Sequence, residues 1–255
     1  MADLKQKVRK QIVQAMSDYA MLEDGDRILV CVSGGKDSTI LFYMLNEIRK
    51  KSKINFTVDG LMLDQKQPGF DASEYCKWIG RQGLNLKMIA EDTYSIVKEK
   101  VPEGKTYCSL CSRMRRAVLY DYAYNNGYTK MALGHHRDDM NQTLLLNMFF
   151  SGKICGMPPK LLSDDKRNVL IRPMAYVAEK DLIALQNEIN FPVIPCNLCG
   201  SQDGLQRQRM KQLLADLEVE IPNLGNTMLN AQKNIRKSQL LDQNLWDFSS
   251  LKSSS

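Results

Sequence analysis

A short apolar run followed by six residues constrains most of what this chain can become. Ile28 to Val32 has the length and content of a buried strand, and Ser33-Gly34-Gly35-Lys36-Asp37-Ser38 follows it directly. Ile40, Leu41, Met44, Leu45 and Ile48 then recur at helical spacing. Strand, glycine loop and helix in that order open a fold in which parallel strands alternate with covering helices. The glycines permit a tight turn, and the helix start aims free amides and a positive dipole end at the loop. With Lys36 adding a cation, the loop is suited to a nucleotide phosphate. It is not a Walker A loop, because Val30 stands where the first glycine belongs and Asp37 follows the lysine; nor is it a dinucleotide fingerprint. A plain Gly-Gly turn capped by Asp37 or Ser38 is the competing expectation.

The rest of the chain repeats the alternation. Phe56 to Leu63, Leu84 to Ile89 and Met131 to Gly134 read as strands, with helices over Ala72 to Arg81 and Asn141 to Phe150. The expected class is α/β, a mostly parallel, doubly wound sheet covered on both faces. Leu4, Val8, Ile12, Ala15, Met16 and Tyr19 predict an amphipathic lead-in helix over Asp3 to Met21. Beyond Gly152, Pro158-Pro159, Ser163-Asp164-Asp165, Pro173, Pro192 and Pro195 punctuate shorter elements, with helices over Ala178 to Ile189 and Leu205 to Leu217. The expected organisation is an N-terminal helix (1–24), a nucleotide-binding α/β domain (25–152), a C-terminal region (153–248) and a tail (249–255).

No apolar run approaches the roughly 18 residues of a membrane span, and Met1 to Lys10 is charged with no signal core behind it, so a cytoplasmic protein is expected. In a reducing compartment seven cysteines are poorly explained by disulfides, which leaves metal, cluster or sulfur chemistry. Four of them form pairs: Cys108-Ser109-Leu110-Cys111 and, after 84 intervening residues, Cys196-Asn197-Leu198-Cys199. The first pair opens a helix with Leu110, Met114, Val118 and Tyr122 apolar and Arg113, Arg115 and Arg116 basic, so dipole and arginines favour thiolates. Zinc and an iron-sulfur cluster both suit four thiolates, and spacing alone does not choose between them. Cys31, Cys76 and Cys155 are expected to be small core residues. A net charge of +6 favours a polyanionic partner, with Arg207, Arg209 and Lys211 on a second basic helix.

Gly134-His135-His136-Arg137-Asp138-Asp139 follows a strand, at the carboxyl edge where open α/β sheets bind ligands. It holds the only two histidines, which leaves none elsewhere for a catalytic triad or a zinc finger. Its aspartates either cap the next helix or bring a carboxylate near Mg2+ or substrate.

The Ser33 to Ser38 loop resembles the Ser-Gly-Gly-x-Asp-Ser loop of the PP-loop pyrophosphatase superfamily, and Gly134 to Asp139 is similar to its Gly-His-x-x-Asp-Asp signature. That resemblance implies ATP bound with phosphate cradled by Ser33, Gly34, Gly35 and Ser38, charge stabilised by Lys36, and Mg2+ held by Asp37. Asp138 and Asp139 join Asp37 as candidate catalytic residues. Leu63 to Phe70, Lys98 to Lys105, Cys108 to Arg116, Gly156 to Lys160, Pro195 to Gln202 and Leu205 to Gln208 resemble the tRNA-cytidine(32) 2-sulfurtransferase family. The likeness implies a [4Fe-4S] cluster on Cys108, Cys111 and Cys199, with Cys196 in the motif but not a ligand. It also implies that tRNA is held by Arg113, Arg115, Arg116, Arg207 and Arg209, and that cytidine O2 is adenylated before sulfur displaces AMP to give 2-thiocytidine. A cysteine desulfurase as sulfur donor and a homodimer follow from the same likeness. The rival readings are a PP-loop 2-thiouridine or lysidine synthetase, and a zinc-stabilised RNA-binding protein with an inactive nucleotide loop.

Overall fold

The apolar run before the glycine loop is the central strand of the molecule. The computed structural model describes residues 2–100, 108–194 and 202–252. Within them, β1 (Asp26–Cys31) pairs in parallel with β2 (Phe56–Asp64) on one side and β4 (Lys130–Ala132) on the other. β3 (Leu86–Ala90) extends the sheet beyond β2, and β6 (Val169–Ile171) beyond β4, both in parallel. β5 (Lys160–Leu162) closes the far edge antiparallel to β6. The order β3-β2-β1-β4-β6-β5 is the mostly parallel sheet that the alternation predicts.

The two-residue period of a strand divides the core in two. Ile28 and Val30 pack into a cluster with residues of α1 (Ala2–Asp18), α2 (Lys36–Arg49), α3 (Ser73–Arg81) and α7 (Glu179–Ile189). Leu29 points the other way, to Leu119 and Ala123 of α5 (Cys108–Asn125). β2 divides alike, Val58 and Met62 joining the first cluster and Leu61 and Leu63 the second. Cover on both faces is why the strand reads as a continuous apolar run. The lead-in helix α1 belongs to the main core: Val8, Ile12 and Ala15 are wholly buried, and it packs on α2 and α7.

α4 (Thr93–Lys100) follows β3 and packs on α5, while α6 (Arg137–Ser151), α8 (Gln202–Glu220) and α9 (Leu224–Lys233) pack on one another. Among the described residues no helix is long and apolar enough to cross a membrane. Two local expectations are corrected. The helix expected from Asn141 begins at Arg137, so Asp138 and Asp139 lie in its first turn. Cys155 is exposed, not a core residue: α6 ends at Ser151, and the left-handed φ of 61° at its cap, Gly152, turns the chain out of the helix.

Candidate active site at the carboxyl edge of the sheet

The chain winds from β1 to β2 on one side, whereas β4 lies on the other, so the ends of β1 and β4 flank a topological switch point. Ser33–Ser38 leaves β1 there and Gly134–Asp139 leaves β4. The two segments touch at Gly134. A Cβ on it would stand 2.9 Å from Ser38 N, 3.0 Å from Ser38 Cα and 3.1 Å from the Asp37 carbonyl carbon. Glycine is therefore the residue that lets the second motif lie against the first turn of α2.

The loop is folded by its own hydroxyls. Ser33 N–H donates to Ser38 Oγ at 3.1 Å, Gly35 N–H to Ser33 Oγ at 3.3 Å, and Thr39 Oγ1 to the Gly35 carbonyl at 2.8 Å. Gly34 takes a φ of +80°, and extended Gly35 precedes the helix with no side chain capping it. The competing cap by Asp37 or Ser38 is not formed, so the start of α2 offers its amides to an anion. Lys36 Nζ pairs with Asp37 Oδ1 and lies 3.8 Å from Glu179 Oε1. This arrangement fits a nucleotide phosphate, with Asp37 as a hard oxygen donor of the kind Mg2+ prefers. Ile194 N–H donates to the Gly34 carbonyl at 3.0 Å, so the chain leading to the second cysteine pair starts from the phosphate loop.

Both aspartates hold helix starts. Asp139 Oδ2 accepts the His136 amide at 3.0 Å and caps α6; its Oδ1 is 3.3 Å from Arg207 Nη1 on α8. Asp138 Oδ2 accepts the Glu179 amide at 2.7 Å and caps α7, while its Oδ1 accepts from Arg137 Nη2 at 3.0 Å. Glu179 then pairs with Lys211 of α8 at 2.8 Å. His135 Nδ1 accepts from Arg172 Nε at 3.2 Å. Burial first, and then the Arg172 charge, push His135 down to about 4, so the ring is neutral near pH 7 and carries its proton on Nε2.

Cys111 lies in the first turn of α5, its Sγ 3.3 Å from Oε1 of Gln65, just past the carboxyl end of β2. Cys196, Cys199 and the side chain of Cys108 lie outside the described residues. Cys31 and Cys76 are half-buried, and burial raises both thiols, Cys31 to about 12. Neither is a thiolate at neutral pH. Arg113, Arg115 and Arg116 on α5 and Arg207 and Arg209 on α8 are exposed.

A PP-loop domain matches residues 4–216. A protein of Bdellovibrio bacteriovorus named tRNA-cytidine(32) 2-sulfurtransferase is 58% identical over 246 residues, covering 96% of this chain and 95% of its own. One of the same name from Coxiella burnetii (strain Dugway 5J108-111) is 52% identical over 248 residues, 97% of each chain. The chain belongs to the tRNA-cytidine(32) 2-sulfurtransferase family. Among solved structures, the U34-tRNA thiolase NcsA from Methanococcus maripaludis with its [4Fe-4S] cluster superposes with a TM-score of 0.71. At 20% identity, over 90% of this chain and 78% of that one, the likeness is one of fold.

In this member of the 2-sulfurtransferase family, three polar residues at the edge carry no role in the sequence reading. Glu179 bridges Lys36 and Lys211, Arg172 fixes His135, and Gln65 meets Cys111. Their signal was positional: Gln65 and Arg172 directly follow the ends of β2 and β6, and Glu179 opens α7.

Proposed function

We propose that this protein thiolates cytidine 32 of the tRNA anticodon loop in an ATP-dependent reaction through an adenylated base. Family membership and the uncapped phosphate loop support the nucleotide half; Cys111 on the same edge of the same sheet supports the sulfur half. The observation that carries the reading is this sharing of one carboxyl edge by the loop, the Gly134–Asp139 segment and a cysteine of the first pair.

In this reading cytidine O2 attacks the α-phosphorus of ATP and pyrophosphate leaves. Sulfide then adds at C2, and the C2–O bond breaks with departure of AMP, giving 2-thiocytidine. The loop amides and Lys36 stabilise charge gathering on the departing pyrophosphate, and Asp37 holds Mg2+. In this reading Asp139, whose Oδ1 lies 3.3 Å from Nη1 of exposed Arg207, exchanges that partner for metal or substrate. Cys108, Cys111 and Cys199 would hold a [4Fe-4S] cluster, supplying an iron without a protein ligand where incoming sulfur can bind. Residues i and i+3 of a helix share a face, so the first pair suits a common centre. Arg113, Arg115, Arg116, Arg207 and Arg209 bind the tRNA backbone. A cysteine desulfurase as donor, with a reductant that supplies the two electrons taking its persulfide sulfur to sulfide, and a homodimer complete the reading.

Iron, sulfide and zinc analysis after anaerobic purification tests it. Iron should be lost in Cys108→Ala, Cys111→Ala and Cys199→Ala and largely kept in Cys196→Ala. Zinc in place of iron, or equal loss in all four variants, points instead to a closed four-cysteine site.

A further inference from the structure

After α9 the chain continues as an arm, residues 236–252. Among the described residues, none beyond Leu229 belongs to either core cluster. The arm is nonetheless rich in large apolar side chains: Leu241, Leu245, Trp246, Phe248 and Leu251 are all exposed, Leu241 by 94%. Its turns are held from within. Leu245 and Trp246 N–H donate to the Asp242 carbonyl at 3.1 and 3.2 Å, Asn244 N–H to Asp242 Oδ1 at 2.8 Å, and Ser249 N–H to Asp247 Oδ1 at 3.0 Å. The arm therefore has a shape before anything binds it, which lowers the entropy cost of docking.

A groove on the same chain is apolar too. α6, α9 and the 154–159 segment enclose a cavity of about 700 Å3 whose lining includes Met140, Leu144, Met148, Met157 and Leu229. Met148 and Ile154 of that lining are exposed, as are Phe149 and Phe150 next along α6. Ile235, also exposed, lines the cavity and leads directly into the arm, yet no arm residue lines it. The charges are complementary. Between 238 and 251 the arm carries only Asp242 and Asp247, whereas Lys153 adjoins the groove and Lys233 lines it. Asp18, the one carboxylate of the lining, already accepts the Tyr176 hydroxyl at 2.6 Å. An acidic, apolar arm repels a polyanion and suits a protein groove rimmed by lysine.

A second copy of this chain supplies both surfaces in equal number. Two copies about a two-fold axis can exchange arms and close, whereas a different partner on either surface leaves the other bare. The area suffices. The five apolar residues of the arm and Met148, Phe149, Phe150, Ile154 and Ile235 of the groove face are each exposed. At roughly 200 Å2 for a large side chain, about half of it open, they offer on the order of 1,000 Å2 per copy. A stable dimer takes about 800 Å2 from each partner. We propose that the 238–251 arm of each copy docks in the groove between α6, α9 and the 154–159 segment of a second copy, and that this reciprocal exchange forms the dimer. The inference rests on the homodimer of the proposed function and names the surfaces that make it.

Sedimentation velocity of the full chain across a dilution series compares wild type with Leu241→Asp in the arm and Met148→Asp in the groove. Each substitution should raise the dimer dissociation constant at least about a hundredfold, since a carboxylate replaces an apolar contact that two-fold symmetry repeats. Mixed in equal amounts, the two variants should associate again, because one intact arm still meets one intact groove. If Met148→Asp loses the native circular dichroism, exposed Ile154→Asp takes its place. A wild type that stays monomeric at every concentration overturns the homodimer and this inference together; if its tRNA affinity then falls in Leu241→Asp, the arm serves RNA instead. A wild-type dimer that survives both substitutions keeps the homodimer and overturns the arm exchange alone. Dissociation of Leu241→Asp without recovery on mixing sets arm against arm and likewise overturns docking in the groove.

Discussion

Replacing Gly134 with alanine tests whether the two motifs are locked together. The added methyl would sit 2.9 Å from a backbone nitrogen of α2, so one segment must yield by about 0.5 Å to reach ordinary contact. Neither can do so by turning a side chain, because the atoms met are main chain in Asp37 and Ser38. Overpacking of this kind costs about 1 to 3 kcal/mol. At roughly 2 to 4 °C per kcal/mol for a chain of this size, the melting temperature should fall by about 2 to 12 °C. The displaced atoms carry the start of the phosphate-binding helix, so ATP affinity should drop on the order of tenfold, since sub-ångström misplacement degrades oriented contacts. Gly80→Ala is the control: nothing lies within 4 Å of its added methyl, and its place in α3 predicts a gain of up to about 1 kcal/mol. Scanning calorimetry and ATP titration calorimetry measure both effects. Unchanged melting and ATP affinity in Gly134→Ala would refute close contact between the motifs.

Other outcomes follow from the same geometry. Lys36→Ala and Asp37→Ala should each lower ATP-dependent 2-thiocytidine formation at least about a hundredfold while leaving iron content unchanged, since they act on phosphate and Mg2+. Charge reversal at Arg113, Arg115 or Arg116 should weaken tRNA binding in iron-replete protein, by less at high salt because phosphate contacts release counterions; equal loss at two salt concentrations argues against that surface. His135 is held near 4, below its ordinary 6.5, so in that interval the unfolded chain binds a proton the folded one refuses. Stability is therefore full above pH 6.5 and lost as pH falls toward 4, and His135→Asn should flatten that slope in melting curves at about pH 7 and about pH 5.

The central sheet was legible because its strands are covered on both faces: Ile28 to Val32 and Phe56 to Leu63 need continuous apolar content, which is what periodicity detects. β5 and β6 were not, since three residues show no period and Pro158-Pro159 and Ser163-Asp164-Asp165 read as turns. α9 was not read from the sequence, although Leu229 is buried against the core. At the site, chain-local features were visible: the glycine loop, the paired cysteines and the aspartates at a strand end. What joins distant segments was not. Arg172 on His135, Glu179 beside Lys36 and Gln65 against Cys111 are polar residues at element ends, and sequence gives no distance between such ends. The double capping by Asp138 and Asp139 was half visible, the cap of α6 being local and that of α7 lying 41 residues away.

The bond from the Ile194 amide to the Gly34 carbonyl gives the molecule a built-in reporter. Ile194 lies outside any helix or strand, so its amide hydrogen is shielded from exchange only while the phosphate loop keeps the shape that presents that carbonyl. In deuterated solvent a single peptide spanning Ile194 therefore reads the state of a loop about 160 residues earlier in the chain. Slower exchange with nucleotide means a tightened loop, and faster exchange in Gly134→Ala means one forced open. The same amide lies two residues before Cys196 in the sequence, so the measurement also watches the point where the chain leaves the phosphate loop toward the second cysteine pair.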